Sequence, residues 1–273
     1  MIAAAARRLP LRPLFITTLF SGSFLLFLVQ PLFGRIVLPV LGGSPSVWNT
    51  AMLFYQAALL AGYVYADWLQ RLPVRRQLLL HLALFAAAAL TLPIGMADWF
   101  PAAGNGDPSL WLIGLLAASI GPVFLAVSAQ APLMQAWFAR TDDGDAANPY
   151  FLYAASNLGS FAALIAYPLL VEPLAGLEAQ RIGWSAGFVA LAVLVALCGL
   201  AAGDGAAAVP VPRPFIPLRR RLRWALLAAV ASALLLSTTT HLTTDIMAMP
   251  LLWVVPLALY LLSFMVAFAS RQA

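Results

Sequence analysis

Lysine is absent from this 273-residue chain, and all fifteen of its basic residues are arginine. Charge of either sign is scarce: Asp, Glu, Lys and Arg make up 9% of the residues, where a soluble domain carries roughly 25%. There is one cysteine, Cys198, so an intrachain disulfide is excluded. It lies in an apolar run with no His or Cys beside it, which argues against a metal site there. The chain also lacks a Gly-x-Gly-x-x-Gly turn after a strand, a P-loop and a Gly-x-Ser-x-Gly elbow. Gly203-Asp204-Gly205 stands in a Gly/Ala/Pro-rich stretch with no strand before it, so it is not read as a nucleotide-binding turn. No cofactor, metal or catalytic residue is expected. The net charge of +5 comes with no basic stretch interleaved with aromatics, so no nucleic-acid partner is expected either.

What fills the chain is hydrocarbon. Hydrophobic residues make up 63% of it, in continuous runs rich in Leu and Ala. A soluble protein of this size cannot hide that much apolar surface, so the expected surroundings are a lipid bilayer. Strands of a membrane barrel alternate apolar and polar residues, and these runs do not. The predicted fold class is therefore an all-α integral membrane protein. At about 20 apolar residues per span, about eight transmembrane helices are predicted, near 14–40, 47–66, 78–97, 110–136, 150–170, 184–202, 222–240 and 250–269. The first is expected to bend or to end near Arg35, because Gln30-Pro31 and Gly34-Arg35 interrupt it. The fourth contains Pro122 and Pro132. Arg7, Arg8 and Arg12 ahead of an apolar run resemble a signal peptide, but no clean small-residue cleavage site follows, and the segment is read as an uncleaved first span.

The arginines orient the chain. With the N-terminus in the cytoplasm, thirteen of the fifteen fall on the cytoplasmic side: Arg7, Arg8 and Arg12; Arg71, Arg75 and Arg76; Arg140; Arg213, Arg219, Arg220, Arg221 and Arg223; and Arg271. Only Arg35 and Arg181 fall on the other. The positive-inside rule then places both termini in the cytoplasm. A Pro/Gly/Arg linker over 203–221 divides a six-helix bundle, 1–202, from two further helices within 222–273. Six spans, a basic cytoplasmic loop and further spans resemble the first half of the major-facilitator plan. Trp48, Trp99, Trp111, Trp184, Trp224 and Trp253 sit near predicted span ends, as an interfacial aromatic belt would.

A few polar positions stand out against this background. Asn49, Met52, Gln56, Leu60, Tyr63 and Asp67 share one helical face, which is expected to look into the bundle, either lining a cavity or bonding neighbouring helices. In the fifth span, Ala155, Gly159 and Ala163 form a small-residue seam suited to close packing. Tyr153, Asn157, Ser160 and Tyr167 form its more polar side, with Asn157 a cavity candidate. Arg35 and Asp245 each follow the first span of their part of the chain and are expected at the non-cytoplasmic mouth, paired or flanking an entrance. His241 lies four residues before Asp245, a spacing open to proton handling but more often structural. His81 is expected to be interfacial.

Several of these stretches carry a resemblance. Phe27-Leu-Val-Gln-Pro-Leu-Phe-Gly-Arg35, Leu38-Pro-Val-Leu-Gly-Gly-Ser-Pro-Ser-Val-Trp-Asn-Thr50, Tyr55-Gln56 and Leu60-Ala-Gly-Tyr-Val-Tyr65 resemble the membrane part of bacterial fused major-facilitator/spermidine-synthase-like proteins. So do Asn148-Pro-Tyr-Phe-Leu-Tyr-Ala-Ala-Ser-Asn-Leu-Gly-Ser160, Tyr167-Pro168, Ser237-Thr-Thr-Thr-His-Leu-Thr-Thr-Asp245 and Pro250-Leu-Leu-Trp253. The resemblance implies a multi-pass module of a bacterial inner membrane, joined in relatives to a soluble aminopropyltransferase-like domain. This chain stops before such a domain, so no catalytic residue carries over. It is expected to be a piece of a longer fused protein, one partner of a split pair, or a member that keeps only the membrane part. Two functions follow as expectations. One is transporter-like handling of a small polar or cationic solute, polyamine-like as the resemblance implies. The other is a non-transporting anchor for a synthase-like partner.

Overall fold

The structure is a computed structural model that describes residues 10–42, 44–102, 107–147, 149–202, 216–242 and 254–269. All regular structure among them is helical: α1 (Leu11–Leu41), α2 (Pro45–Leu69), α3 (Val74–Ala89), α4 (Pro108–Ser119), α5 (Gly121–Phe138), α6 (Tyr150–Ala166), α7 (Leu177–Ala202), α8 (Leu218–His241) and α9 (Val254–Ala269). A π-helical turn, Tyr167–Val171, and a closing turn, Glu172–Leu174, prolong α6. Four stretches are long and apolar enough to cross a membrane: Leu11–Leu41, Tyr150–Leu174, Leu177–Ala202 and Leu218–His241. The α4–α5 pair makes a fifth if counted as one broken span. The protein is thus an all-α membrane protein with four or five such stretches among the described residues. Helices α3 and α9 have 16 residues each, about 24 Å of rise against a hydrocarbon core of about 30 Å. Helix α2 has 25 residues, but Asn49 and Gln56 hold down its mean hydropathy.

One expectation about a helix end is corrected. The first span does not end near Arg35: α1 runs unbroken for 31 residues through Pro31 and Pro39. Proline removes a backbone donor, but helices packed by neighbours tolerate it, and Pro31 is buried against the rest of the bundle. In the fourth span the break precedes both prolines. The axis turns by 71° between Ser119 and Gly121, where Pro122 cannot donate to the preceding turn. Pro132 sits inside α5 without ending it.

The centre of the bundle is α1, packed against α5, α6 and α7. Helix α2 lies on α4 and α5, α3 lies on α5 and α7, α9 packs on α6, and α8 touches α9. Phe138 meets Phe15 and Phe151 edge-on, each at 5.3 Å. Helix α6 approaches α1 closely enough that a Cβ built on Gly159 would overlap the backbone of Phe20. Ala155, Gly159 and Ala163 are all buried along that line, so the predicted seam is real. Buried polar groups tie the helices laterally. Trp137 Nε1 donates to Gln77 Oε1 at 2.8 Å, and Gln77 Nε2 to the Leu72 carbonyl at 2.7 Å. Gln130 Nε2 donates to the Thr18 carbonyl at 2.6 Å. In an apolar medium each such donor must find an acceptor inside the protein.

Two more residues are not where interfacial anchors would be. Trp184 is buried and donates from Nε1 to the Leu25 carbonyl at 2.9 Å, so it joins α7 to α1. His81 is fully buried in α3, edge-on to Phe85 at 5.1 Å and 5.9 Å from the Tyr65 ring. The next turn of α3 and the α2 ring close over it, which a position seven residues into the helix allows.

The loop between α5 and α6 is clamped to the start of α1. Arg12 reaches both Asp143 oxygens, at 2.9 and 3.0 Å, and Asp145 at 2.9 Å. Its hydrogen bond holds the Asp143 carboxyl below the usual carboxylate range.

Candidate functional site

The polar stripe of α2 faces away from the bundle rather than into it. Asn49, Gln56, Leu60, Tyr63 and Asp67 are exposed, and Met52 is half-buried. The opposite face does the packing: Ala51, Phe54, Tyr55, Gly62, Ala66 and Leu69 are buried. The Tyr55 ring lies 5.3 Å from Phe124 on α5, and Gly62 rests against Ser128. The aromatic and small residues offer more apolar area and closer approach, so they take the core.

The stripe is not isolated. Tyr63 lies within electrostatic reach of Tyr153 on α6, and Tyr153 is itself exposed. One turn further along α6, Asn157 is half-buried, and its Nδ2 is enclosed without a hydrogen-bond partner among the described residues. Tyr63 on α2 and Tyr153 on α6, both exposed, therefore open on the same side of the bundle. Asp67 pairs with Arg71 at 3.5 Å at the end of α2.

At the far end of α6, Arg35 on α1 meets Glu172. Their Nη1–Oε2 distance is 3.1 Å, with 36% and 34% of the side chains exposed. The Tyr167 ring is buried beneath. Its hydroxyl lies beside both charges without a well-aligned hydrogen bond to either. The π-helical turn over Tyr167–Val171 places the three together. It inserts an extra residue per turn, and such turns recur at functional sites. Glu172 is one of two acidic residues within the four long apolar stretches, the other being Glu178 in the first turn of α7.

Arg35 thus has a partner that the sequence did not nominate. Asp245, its expected partner, lies outside the described residues, and so does the pairing of His241 with it. His241 itself is exposed at the end of α8. Arg35 and Glu172 are far apart in sequence, and the one hint was the Tyr167-Pro168 and Glu172-Pro173 breaks.

An enclosed cavity of about 10 Å³ lies between Phe33, Gly34, Trp48, Tyr55 and Leu116, space for about one water. Among the described residues, no cluster of His, Cys, Asp or Glu could hold a metal ion. No protein family, curated protein or solved structure matches the chain.

Proposed function

We propose that the chain is a multi-pass membrane module whose α2/α6 face forms one wall of a path for a small polar or cationic solute. The observation that carries this reading is the convergence of two polar helix faces on one open side. Asn49, Gln56, Tyr63 and Asp67 come from α2, and Tyr153 and Asn157 from α6. Amide side chains left facing hydrocarbon are costly. A wetted path or a polar partner surface removes that cost. The Arg35–Glu172 pair stands near one end of the wall, and Glu172 supplies the carboxylate that a cationic solute needs. A polyamine-like solute is the choice favoured by the family resemblance. Uptake of a labelled diamine into vesicles holding the purified protein tests the proposal. Gln56→Leu and Asn157→Leu are expected to cut uptake about tenfold at unchanged membrane levels. Equal flux in wild-type and empty vesicles would refute it.

In this reading the chain makes eight crossings of a bacterial inner membrane, with α3 tilted little and α4–α5 counted as one broken span. Both termini are then cytoplasmic, in keeping with the distribution of arginine. Reporter fusions at Gly104 and Ala208 are expected to report opposite compartments. The same compartment for both would rule this topology out.

The second reading is a non-transporting anchor for an aminopropyltransferase-like domain or partner. What favours it is the close-packed interior, where the enclosed cavity is about 10 Å³. Solute flux separates the two readings, because an anchor gives none.

A further inference from the structure

The densest charge in the chain is at the start of α8. Arg219, Arg220, Arg221 and Arg223 fall within five positions, and all four are exposed. At about 100° per residue their side chains spread around the helix axis, so they form a collar rather than a stripe. Among the described residues none of them makes an ion pair. Five described carboxylates are ion-paired elsewhere, Asp143 and Asp145 with Arg12, Glu172 with Arg35, Asp67 with Arg71 and Glu178 with Arg181, and Asp98, Asp107 and Asp142 make no ion pair with the collar. The first turn of α8 contains no acidic residue. Arg220 also lies over an aromatic ring, its guanidinium carbon 5.0 Å from the centre of the Trp224 ring.

Directly after the collar the helix becomes apolar and stays exposed on every side, at Leu226, Leu227, Val230 and Leu234 among others. It is long and apolar enough to cross a membrane, and no part of its apolar window is buried. Apart from its contact with α9, a helix so exposed is surrounded by hydrocarbon. Its arginine collar then stands where the helix leaves the hydrocarbon, at headgroup depth, and Trp224 sits at the boundary as interfacial tryptophans do. Four like charges within about one and a half turns repel one another. Relief must come from anions outside the described chain. At that depth the anions at hand are lipid phosphates, whose oxygens match the guanidinium fork.

We propose that the Arg219–Arg223 collar is a docking surface for anionic phospholipid headgroups, which gather around α8 and hold its depth in the bilayer. A soluble polyanion would need to approach the collar from above the bilayer surface. The apolar run that begins at Trp224 keeps the collar down among the headgroups instead.

The test uses the full chain in bilayer nanodiscs of phosphatidylcholine containing a minority of spin-labelled phosphatidylglycerol or spin-labelled phosphatidylcholine. The motionally restricted fraction of each probe reports its preference for the protein surface. Wild type is expected to prefer phosphatidylglycerol. The quadruple variant Arg219→Gln/Arg220→Gln/Arg221→Gln/Arg223→Gln is expected to lose most of that preference, roughly tenfold at the collar sites. The quadruple Arg→Lys variant keeps the charge and the insertion signal, and should retain the preference. The Arg71→Gln/Arg75→Gln/Arg76→Gln variant is a control for charge elsewhere and should retain it too. Raising salt to about 1 M, where screening acts within about 3 Å, should weaken the wild-type preference without any substitution, so the proposal stays testable if the glutamine variant inserts poorly. Equal preference in wild type and the collar variant overturns the proposal. So does an equal loss in the control variant, or a wild type that binds heparin in detergent yet shows no preference for phosphatidylglycerol.

Discussion

Gly159→Leu is expected to abolish accumulation of the protein in the membrane, while Gly183→Leu is expected to leave it unchanged. The contrast rests on what each added side chain meets. At Gly159 even a Cβ would overlap the backbone of Phe20, and backbone cannot swing aside as a flexible side chain can. Inserting a leucine there must push α6 off α1. Overpacking of a core commonly costs about 1–3 kcal/mol and sometimes more, and this contact joins the two helices at the centre of the bundle. Separating them would also break the Ser23–Ser156 hydroxyl contact at 2.6 Å and open the edge on which α9 packs. At Gly183 nothing lies within 4 Å of the added carbon, and the residue is exposed on α7. Both substitutions raise the apolarity and helix propensity of their segment, so insertion itself should not separate them. Quantitative immunoblotting of membrane fractions checks the result. Equal accumulation of both variants would mean that α6 and α1 are not in contact.

The seam around Gly159 was legible because small residues at a spacing of four leave a one-dimensional signature, and that signature has one main physical use in a bilayer. The approximate positions of the helices were legible for a similar reason, since apolar run length follows from bilayer thickness, although the third, expected over 78–97, ends at Ala89. The direction of a polar face was not. Asn49, Gln56, Tyr63 and Asp67 announce that one side of α2 differs from the other, but not which side meets α5. The buried face was decided by Phe54 and Tyr55 fitting against Phe124 and by Gly62 fitting against Ser128. Such complementarity involves residues more than sixty positions away in the chain. Gln77 and Gln130 were passed over because a lone amide in an apolar run gives no pattern. Their acceptors and donors, Trp137 and the Thr18 carbonyl, appear only when the helices are assembled. The interruption at Gln30-Pro31 and Gly34-Arg35 was over-read: α1 continues past Arg35 to Leu41, because a helix supported on several sides tolerates a lost backbone bond.

The last expected result concerns Arg35, whose partner was also hidden by chain separation. Arg35→Ala and Glu172→Ala are each expected to cut solute uptake about tenfold, and the exchanged pair Arg35→Glu/Glu172→Arg to recover part of it. About a third of each side chain is exposed, so water screens the pair. Its contribution to folding should stay near the 0–1 kcal/mol of surface ion pairs, and all three variants should accumulate normally. The effect on function has a different origin. Removing Arg35 leaves the Glu172 carboxylate beside the buried Tyr167 ring with no cation near it, and a cationic solute then becomes its permanent partner instead of a transient one. Removing Glu172 leaves Arg35 to repel such a solute from the end of the α2/α6 wall. The exchanged pair restores neutrality but turns the carboxylate toward α1, so recovery should be incomplete. A double-mutant cycle on initial uptake rates, with membrane levels measured in parallel, reads the coupling directly. Strictly additive losses would show that the two charges act independently. Losses that track membrane levels would place the pair among the structural contacts. A non-additive loss at normal levels would tie the π-helical turn that carries Tyr167 and leads into Glu172 to the movement of solute.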